Sequence, residues 1–118
     1  MHNQNLGKLG ENIASEYLLK KGYAIITKNF KEGYGEIDIV AQEGNTLVFV
    51  EVKTRIGDCY GEPVDAILPR KIREIIQTSE FYLFKNMLNR SWRVDVVAIA
   101  LNVDKSVERI EHFENITL

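Results

Sequence analysis

The chain has 118 residues, with 15 Lys or Arg against 17 Asp or Glu and a formal net charge of −2. This length suits one domain, residues 1–118, with a real hydrophobic core. The slightly acidic balance lacks the footprint of a strong nonspecific nucleic-acid binder, so any basic surface must be local. A lone cysteine, Cys59, excludes an internal disulfide and favours a reducing compartment.

No apolar run approaches the roughly 20 residues that a membrane span needs. The first residues also lack the basic start and apolar stretch of a signal peptide. We therefore expect a cytoplasmic protein that does not associate with a membrane.

The first predicted element is a helix from about Lys8 to Lys21, which Gly22 ends. Small and apolar residues recur on one of its faces at helical spacing: Gly10, Ile13, Ala14, Tyr17 and Leu18. Glu11 lies beside that face in the first turn. It is placed either to reach over a sheet edge or simply to suit the positive end of the helix dipole. A strand over Tyr23 to Asn29 and a loop over 30–34 follow.

Two alternating, β-branched runs then meet at Gly44-Asn45 and predict a β-hairpin with a two-residue loop. In that register Asp38 faces Glu51, and Glu36 faces Lys53. One face of the hairpin is then entirely apolar, because alternate side chains point the same way. It carries Ile37, Ile39, Ala41, Val48, Val50 and Val52. The other face is apolar near the turn and carries three carboxylates and one ammonium at its open end.

Like charges on directly opposed strand residues destabilise a sheet. A divalent cation between Asp38 and Glu51 would offset their repulsion. Mg²⁺ fits this place because it binds hard oxygen ligands and often takes only one or two carboxylates, together with water and phosphate oxygens. The hairpin therefore predicts a cation site at its open end.

A long connection, Thr54 to Leu68, follows the hairpin, and we expect it to act as a lid that substrate orders. Cys59 lies within it, with no neighbouring His to activate a nucleophile, so we favour the carboxylates as the chemical groups. A second helix is predicted from Pro69 to Met87. Its buried face comprises Ile72, Ile75, Ile76, Ser79, Tyr82, Leu83 and Met87.

The start of this second helix is basic, with Arg70, Lys71 and Arg73 at the positive end of the helix dipole. A bound anion such as a backbone phosphate would stabilise cations in that position. The alternative is that these side chains are simply solvated. Together with Lys53 and Arg55 they form a candidate basic rim around the carboxylates.

Trp92 to Leu101 predicts a strand buried on both faces, in which Asp95 either pairs with a basic neighbour or supports the site indirectly. Val107 to Phe113 predicts a polar edge strand, with His112 as an exposed residue rather than a general base. The order of elements predicts an α/β sandwich around a mixed central sheet of about five strands flanked by helices.

Asp38, followed on the next strand by Glu51-Val52-Lys53, resembles the core of PD-(D/E)xK nucleases. Ile37 stands where the superfamily name has Pro. Most of the chain closely resembles the YraN family, bacterial proteins described as predicted endonucleases related to Holliday-junction resolvases. The matching segments are Gly7-x-x-Gly10-Glu11, Asn29-Phe30, Gly35-Glu36-Ile37-Asp38, Phe49-Val50-Glu51-Val52-Lys53-Thr54-Arg55, Lys71 and Val94-Asp95-Val96-Val97.

The resemblance implies a restriction-endonuclease-like fold and metal-dependent hydrolysis of phosphodiester bonds in DNA. By resemblance, Asp38 and Glu51 bind Mg²⁺ or Mn²⁺, Glu11 completes or supports the site, and the carbonyl of Val52 is a further ligand. Lys53 orients the attacking water or stabilises charge. From the hairpin register, we expect Glu36 to hold the Lys53 ammonium by charge pairing, which is a supporting role.

The local charge pattern predicts nucleic-acid contacts through Arg55, Arg70, Lys71 and Arg73 of the basic rim, and Lys71 also matches the family pattern. A homodimer is compatible with the resemblance, since junction-cutting relatives need two sites. The main rival is a noncatalytic nucleic-acid-binding or DNA-processing accessory module of the same fold. A protein-interaction domain would leave the opposed carboxylates unexplained.

Overall fold

Five strands form one sheet, and two helices pack against it. The computed structural model describes residues 4–33, 35–57 and 69–116. The helices are α1 (Gln4–Lys20) and α2 (Pro69–Lys85), and the strands are β1 (Ala24–Glu32), β2 (Gly35–Glu43), β3 (Thr46–Ile56), β4 (Trp92–Leu101) and β5 (Val107–Phe113). Neither helix is long and apolar enough to cross a membrane, and these are the helices of the described ranges.

The strands lie in chain order, β1-β2-β3-β4-β5. β3 and β4 are parallel, and the other neighbours are antiparallel. Parallel neighbours need a crossover connection, and α2 lies in the segment that joins β3 to β4. The predicted mixed five-stranded sheet is therefore confirmed.

The two helices cover opposite faces of the sheet. Neighbouring residues of β3 point to opposite sides, so alternate residues of this strand pack under each helix. On the α1 face, Ala14 and Leu18 pack with strand residues that include Ile39, Ala41, Val48, Val50 and Val97. On the α2 face, Ile75, Tyr82 and Leu83 pack with Val40, Leu47, Phe49 and Val94. Residues 94–101 of β4 are buried throughout, as expected for a strand with apolar layers on both sides.

The hairpin register is confirmed from its loop outward. Gly44-Asn45 connects the strands, with Gly44 at a φ of 60°, and the pairs run from Glu43 opposite Thr46 to Ile39 opposite Val50. The ladder ends there. The expected backbone pairs of Asp38 with Glu51 and of Glu36 with Lys53 are wrong, because β2 and β3 separate at this point.

This separation also corrects the expected face of Ile37. The two-residue alternation predicts it beside Ile39 on the apolar hairpin face, whereas it packs in the α2-side cluster. Alternation holds only while a strand keeps its regular pleat, and β2 departs from that pleat around Asp38. Val52 does pack against the α1-side cluster, as expected.

Several boundaries differ from the sequence prediction. β1 continues to Glu32 where a loop was expected, because residues 30–32 pair with residues 35–37 of β2. α2 ends at Lys85, so Met87 lies beyond the helix and is 90% exposed, not buried. Residues 58–68, which include Cys59 and most of the expected lid, lie outside the described residues, as does Tyr34.

Candidate active site

The candidate site lies where β2 and β3 separate, and two glycines bring the helices close to it. A methyl group on Gly10 of α1 would overlap the Thr54 hydroxyl of β3, and one on Gly35 of β2 would overlap the Thr78 hydroxyl of α2. Only glycine permits such close approach. Each glycine precedes an acidic residue, Glu11 or Glu36, so the close packing places these carboxylates at the end of the sheet.

The Asp38 side chain occupies the gap between the separated strands. Its Oδ2 accepts a hydrogen bond of 2.7 Å from the backbone N–H of Val52. The side chain of Glu51, only 6% exposed, lies close enough to Asp38 for the two carboxyl groups to affect each other's ionisation. Two carboxyl groups that fail to meet as a backbone pair thus meet through their side chains.

Burial, then the charge of Glu51, raises the pKa of Asp38 to about 7, although the N–H of Val52 acts against this rise. Burial also raises the pKa of Glu51, against the opposing charges of Lys71 and Lys53. Two adjacent carboxyl groups in a poorly solvated place cannot easily both ionise. The pair therefore retains a proton near neutral pH unless a cation replaces it.

Asn29 connects the other two carboxylates of the site. Its Nδ2 donates to Glu11 Oε1 at 3.0 Å and Oε2 at 3.2 Å, and lies 3.4 Å from Glu36 Oε2. Asn29 has a φ of 55°, a conformation that asparagine tolerates better than most residues. Sequence reasoning used Asn29 only as part of a motif. An asparagine inside a β-rich run was the available signal of an irregular strand.

Lys71 at the start of α2 and Lys53 on β3 supply positive charge next to Glu51. Both are half-buried, whereas Arg70 and Arg73, in the first turns of α2, are exposed. The expected pairing of Glu36 with Lys53 is absent from the described residues. Glu36 instead lies near Asn29, because the separated strands no longer place it opposite Lys53.

Arg55 is held close to its own chain. It is half-buried, and its Nη1 donates to the carbonyl of Gly57 at 3.0 Å. Of the expected basic rim, Lys71 and Lys53 therefore lie near enough for their charges to act on Glu51. Arg70 and Arg73 are left to solvent on the adjoining surface.

A family comparison covers this whole arrangement. The model of the uncharacterised protein family UPF0102 matches residues 10–99 of the chain. The chain belongs to this family, the YraN family. The matched region runs from Gly10 in α1 to Ile99 in β4, and so includes every carboxylate and lysine of the site.

Relatives in UPF0102 match over almost their full length. A UPF0102 protein of Clostridium botulinum strain Loch Maree / Type A3 is 39% identical over 115 residues, which cover 96% of this chain and 94% of the relative. One from Thermodesulfovibrio yellowstonii is 42% identical over 107 residues, covering 91% of this chain and 93% of the relative.

The donor set of the site suits a hard divalent cation. The carboxyl groups of Asp38 and Glu51 interact closely, and a divalent ion would compensate their mutual repulsion. Within the described ranges no three His, Cys, Asp or Glu side chains form a ready-made metal cage. The residues therefore fit a site with two protein carboxylates. Participation of Glu11 and of the Val52 carbonyl stays a prediction.

A separate buried network lies on the α1 face. Asp95, fully buried, accepts hydrogen bonds from Arg93 Nε at 3.0 Å and from the backbone N–H of Asn115 at 2.9 Å, and lies 2.8 Å from His112 Nε2. Burial alone raises the pKa of Asp95, but the hydrogen bonds of His112, Arg93 and Asn115 outweigh it and hold that pKa below its usual range.

This network settles two sequence alternatives. Asp95 pairs with basic neighbours rather than reaching the carboxylate pair. His112 was expected at an exposed edge, and that expectation is wrong, since its side chain is only 4% exposed. Tyr17 and Tyr23 of the neighbouring segments cover its ring, so an edge strand can still bury a residue beneath a packed helix.

Proposed function

We propose that the protein is a metal-dependent nuclease of the PD-(D/E)xK type that hydrolyses phosphodiester bonds in DNA. One observation carries the proposal: the buried carboxyl groups of Asp38 and Glu51 interact with each other, and the ammonium groups of Lys53 and Lys71 act on Glu51. Strongly perturbed carboxyl groups next to specific charge partners are a recognised mark of functional sites.

Each residue of the site has a distinct part in this proposal. Asp38 and Glu51 would hold Mg²⁺ or Mn²⁺, with Asp38 oriented by the N–H of Val52. A bound metal would supply Lewis-acid activation of water and neutralise charge on the scissile phosphate. Lys53 would orient the attacking water or stabilise charge on the phosphate, and Lys71 would bind the phosphate itself.

Glu11 acts on the site through its charge. That charge raises the pKa of Asp38, and the carboxylate of Glu11 is held by Asn29. Among the described residues, its side-chain hydrogen bonds go to Asn29 and not to Asp38 or Glu51. We therefore assign it a supporting part, with Glu36 on the same asparagine.

Cleavage assays test the proposal directly. Labelled linear, flapped, four-way and single-stranded DNA would be incubated with Mg²⁺ or Mn²⁺ and full-length protein. We expect cleavage to need the metal and to be lost in Glu51→Gln and Lys53→Ala, which should still bind DNA. Glu108→Gln, an exposed change on β5, is the matched control and should cut normally.

Salt dependence separates the residues that bind DNA from those that take part in cleavage. Lys71→Ala or Arg73→Ala should weaken binding and reduce the slope of log K against log salt by about one per lost phosphate contact. The net charge of −2 predicts few such contacts, hence modest affinity and a preference for branched, flapped or single-stranded DNA. Steep salt dependence on plain duplex would contradict this.

The hydrogen bonds of Asn29 to Glu11 favour one second candidate, a noncatalytic nucleic-acid-binding module of the same fold. In that case Glu11 stays with Asn29, and Lys71 and Lys53 simply neutralise Glu51. Salt-dependent binding without cutting of any substrate, at any metal concentration, would make this the better account.

A further inference from the structure

An open cavity lies between α2 and the end of the β1–β2 pair, where Glu32 lies opposite Gly35. Its volume is about 270 Å³. The described residues that line it are Glu32, Gly33, Gly35, Glu74, Gln77, Thr78 and Phe81. Pockets for drug-sized ligands are usually about 300 Å³ or more, so this cavity suits one smaller planar group.

The walls combine one aromatic ring with free acceptors. Phe81 is 38% exposed, so part of its ring is accessible from the cavity. Thr78 is satisfied, because its hydroxyl donates to the carbonyl of Glu74 at 2.8 Å. The side chains of Glu32, Glu74 and Gln77 make no hydrogen bond or ion pair with any other described residue. Their oxygens are therefore available to a ligand.

We infer that this cavity holds one unpaired nucleobase, and that it favours a base with an exocyclic amino group. This inference rests on the proposed nuclease function. Bases stack on aromatic rings, carboxylates accept from the N4 amino group of cytosine, and glutamine pairs with adenine. Two carboxylates repel a phosphate, so the cavity selects the base rather than the backbone of the strand.

The position of the cavity fits a strand that passes through the candidate active site. Gly35 lines it, and Asp38 follows three residues later on β2, about 10 Å away at roughly 3.3 Å per residue. That span equals about three nucleotides at roughly 3.4 Å each along a stacked strand. Arg73, exposed one helical turn before Gln77, adjoins the same path and would bind a phosphate.

Binding of short oligonucleotides tests the inference without relying on cleavage. Fluorescence anisotropy in EDTA would compare single-stranded dC12 with dU12, pyrimidines that differ where cytosine carries its amino group. Full-length protein should bind dC12 more tightly. Phe81→Ala should weaken dC12 binding about five- to 150-fold, the range measured for one base–aromatic stack. The double change Glu32→Gln and Glu74→Gln should abolish the preference for dC12.

Phe84→Ala is the matched control, because Phe84 is 80% exposed on the same helix but does not line the cavity. It should bind as the unchanged protein does. Phe81→Leu keeps an apolar side chain without a ring. It should fold normally by thermal melting and still bind more weakly, which separates loss of stacking from loss of fold.

The outcomes distinguish this inference from the nuclease proposal. Metal-dependent cleavage, together with oligonucleotide binding that does not depend on Phe81, would overturn the base cavity and leave the nuclease proposal standing. Binding that needs Phe81, without cleavage under any metal, would support the cavity and overturn the nuclease. Equal binding of dC12 and dU12, equal loss in Phe84→Ala, or no binding of either oligonucleotide would overturn the inference.

Discussion

The carboxyl groups of Asp38 and Glu51 interact although their strands stop pairing at Ile39 and Val50, one residue short of them. The separation lets the Asp38 side chain enter the gap and accept the N–H of Val52. In a regular ladder, that N–H would donate to a backbone carbonyl of β2. The irregularity of β2 is thus what holds the two carboxyl groups together.

The pKa of Asp38 predicts how stability depends on pH. Its value is raised from 3.8 to about 7, so the folded chain binds more protons than the unfolded chain between these limits. The free energy of unfolding should therefore fall as pH rises through this window, by at most roughly 1.4 kcal/mol per pH unit for one proton. Asp38→Asn removes the contribution of this carboxyl group and can still accept the N–H of Val52.

Urea unfolding in EDTA from pH 5 to pH 8 would measure the effect, with unchanged protein and Asp38→Asn side by side. The variant should gain on the unchanged protein as pH rises, and be the more stable of the two at pH 8. If Asp38→Asn were clearly less stable at pH 8, the ionised carboxylate would be a structural group and not a ligand awaiting a cation.

Metal binding should stabilise the folded protein. At ten times its dissociation constant, a single bound Mn²⁺ would add about 1.4 kcal/mol to the free energy of unfolding. Two protein carboxylates leave most coordination positions to water, so weak binding is expected. Titration calorimetry and thermal melting should both detect Mn²⁺ with the unchanged protein and with Glu108→Gln. Equal metal binding by Asp38→Asn would contradict the assigned site.

The close approach of α1 to β3 predicts opposite effects for two glycines of one helix. Gly10→Ala would overlap Thr54 and should cost about 1–3 kcal/mol through overpacking. Gly7→Ala meets nothing within 4 Å and should stabilise the helix by up to about 1 kcal/mol. Chemical denaturation measures both. Adding Thr54→Ala should restore part of the Gly10→Ala loss, and equal effects at the two glycines would refute the close contact.

The Asp95 network predicts that Asp95→Ala lowers the stability strongly, although Asp95 takes no part in the proposed cleavage. Asp95→Ala leaves the charge of Arg93 and the ring of His112 without their buried partner, which should cost about 3 kcal/mol or more. Because its pKa is lowered, the stabilisation is present above about pH 4 and is lost as pH falls below that value. Glu108→Ala should change stability by less than about 0.5 kcal/mol. A cost below about 1 kcal/mol for Asp95→Ala would contradict the network.

Much of the architecture follows from local patterns. The hairpin loop, its register near the turn and the limits of β4 and β5 could all be predicted, because alternation and turn chemistry act over a few residues. The same rules failed at Ile37, whose face depends on where β2 leaves its partner. They failed again at His112, whose burial depends on Tyr17 and Tyr23 from distant segments.

The sequence by itself determined which groups meet at the candidate site: an aspartate and a glutamate on neighbouring strands, with lysines nearby. Spacing along two strands suffices for that. Only the tertiary structure decided how they meet, since the gap between β2 and β3, the hydrogen bonds of Asn29 and the approach of Lys71 depend on packing of both helices. Glycine contacts at Gly10 and Gly35 set that packing, and no local pattern encodes the partner that each glycine admits.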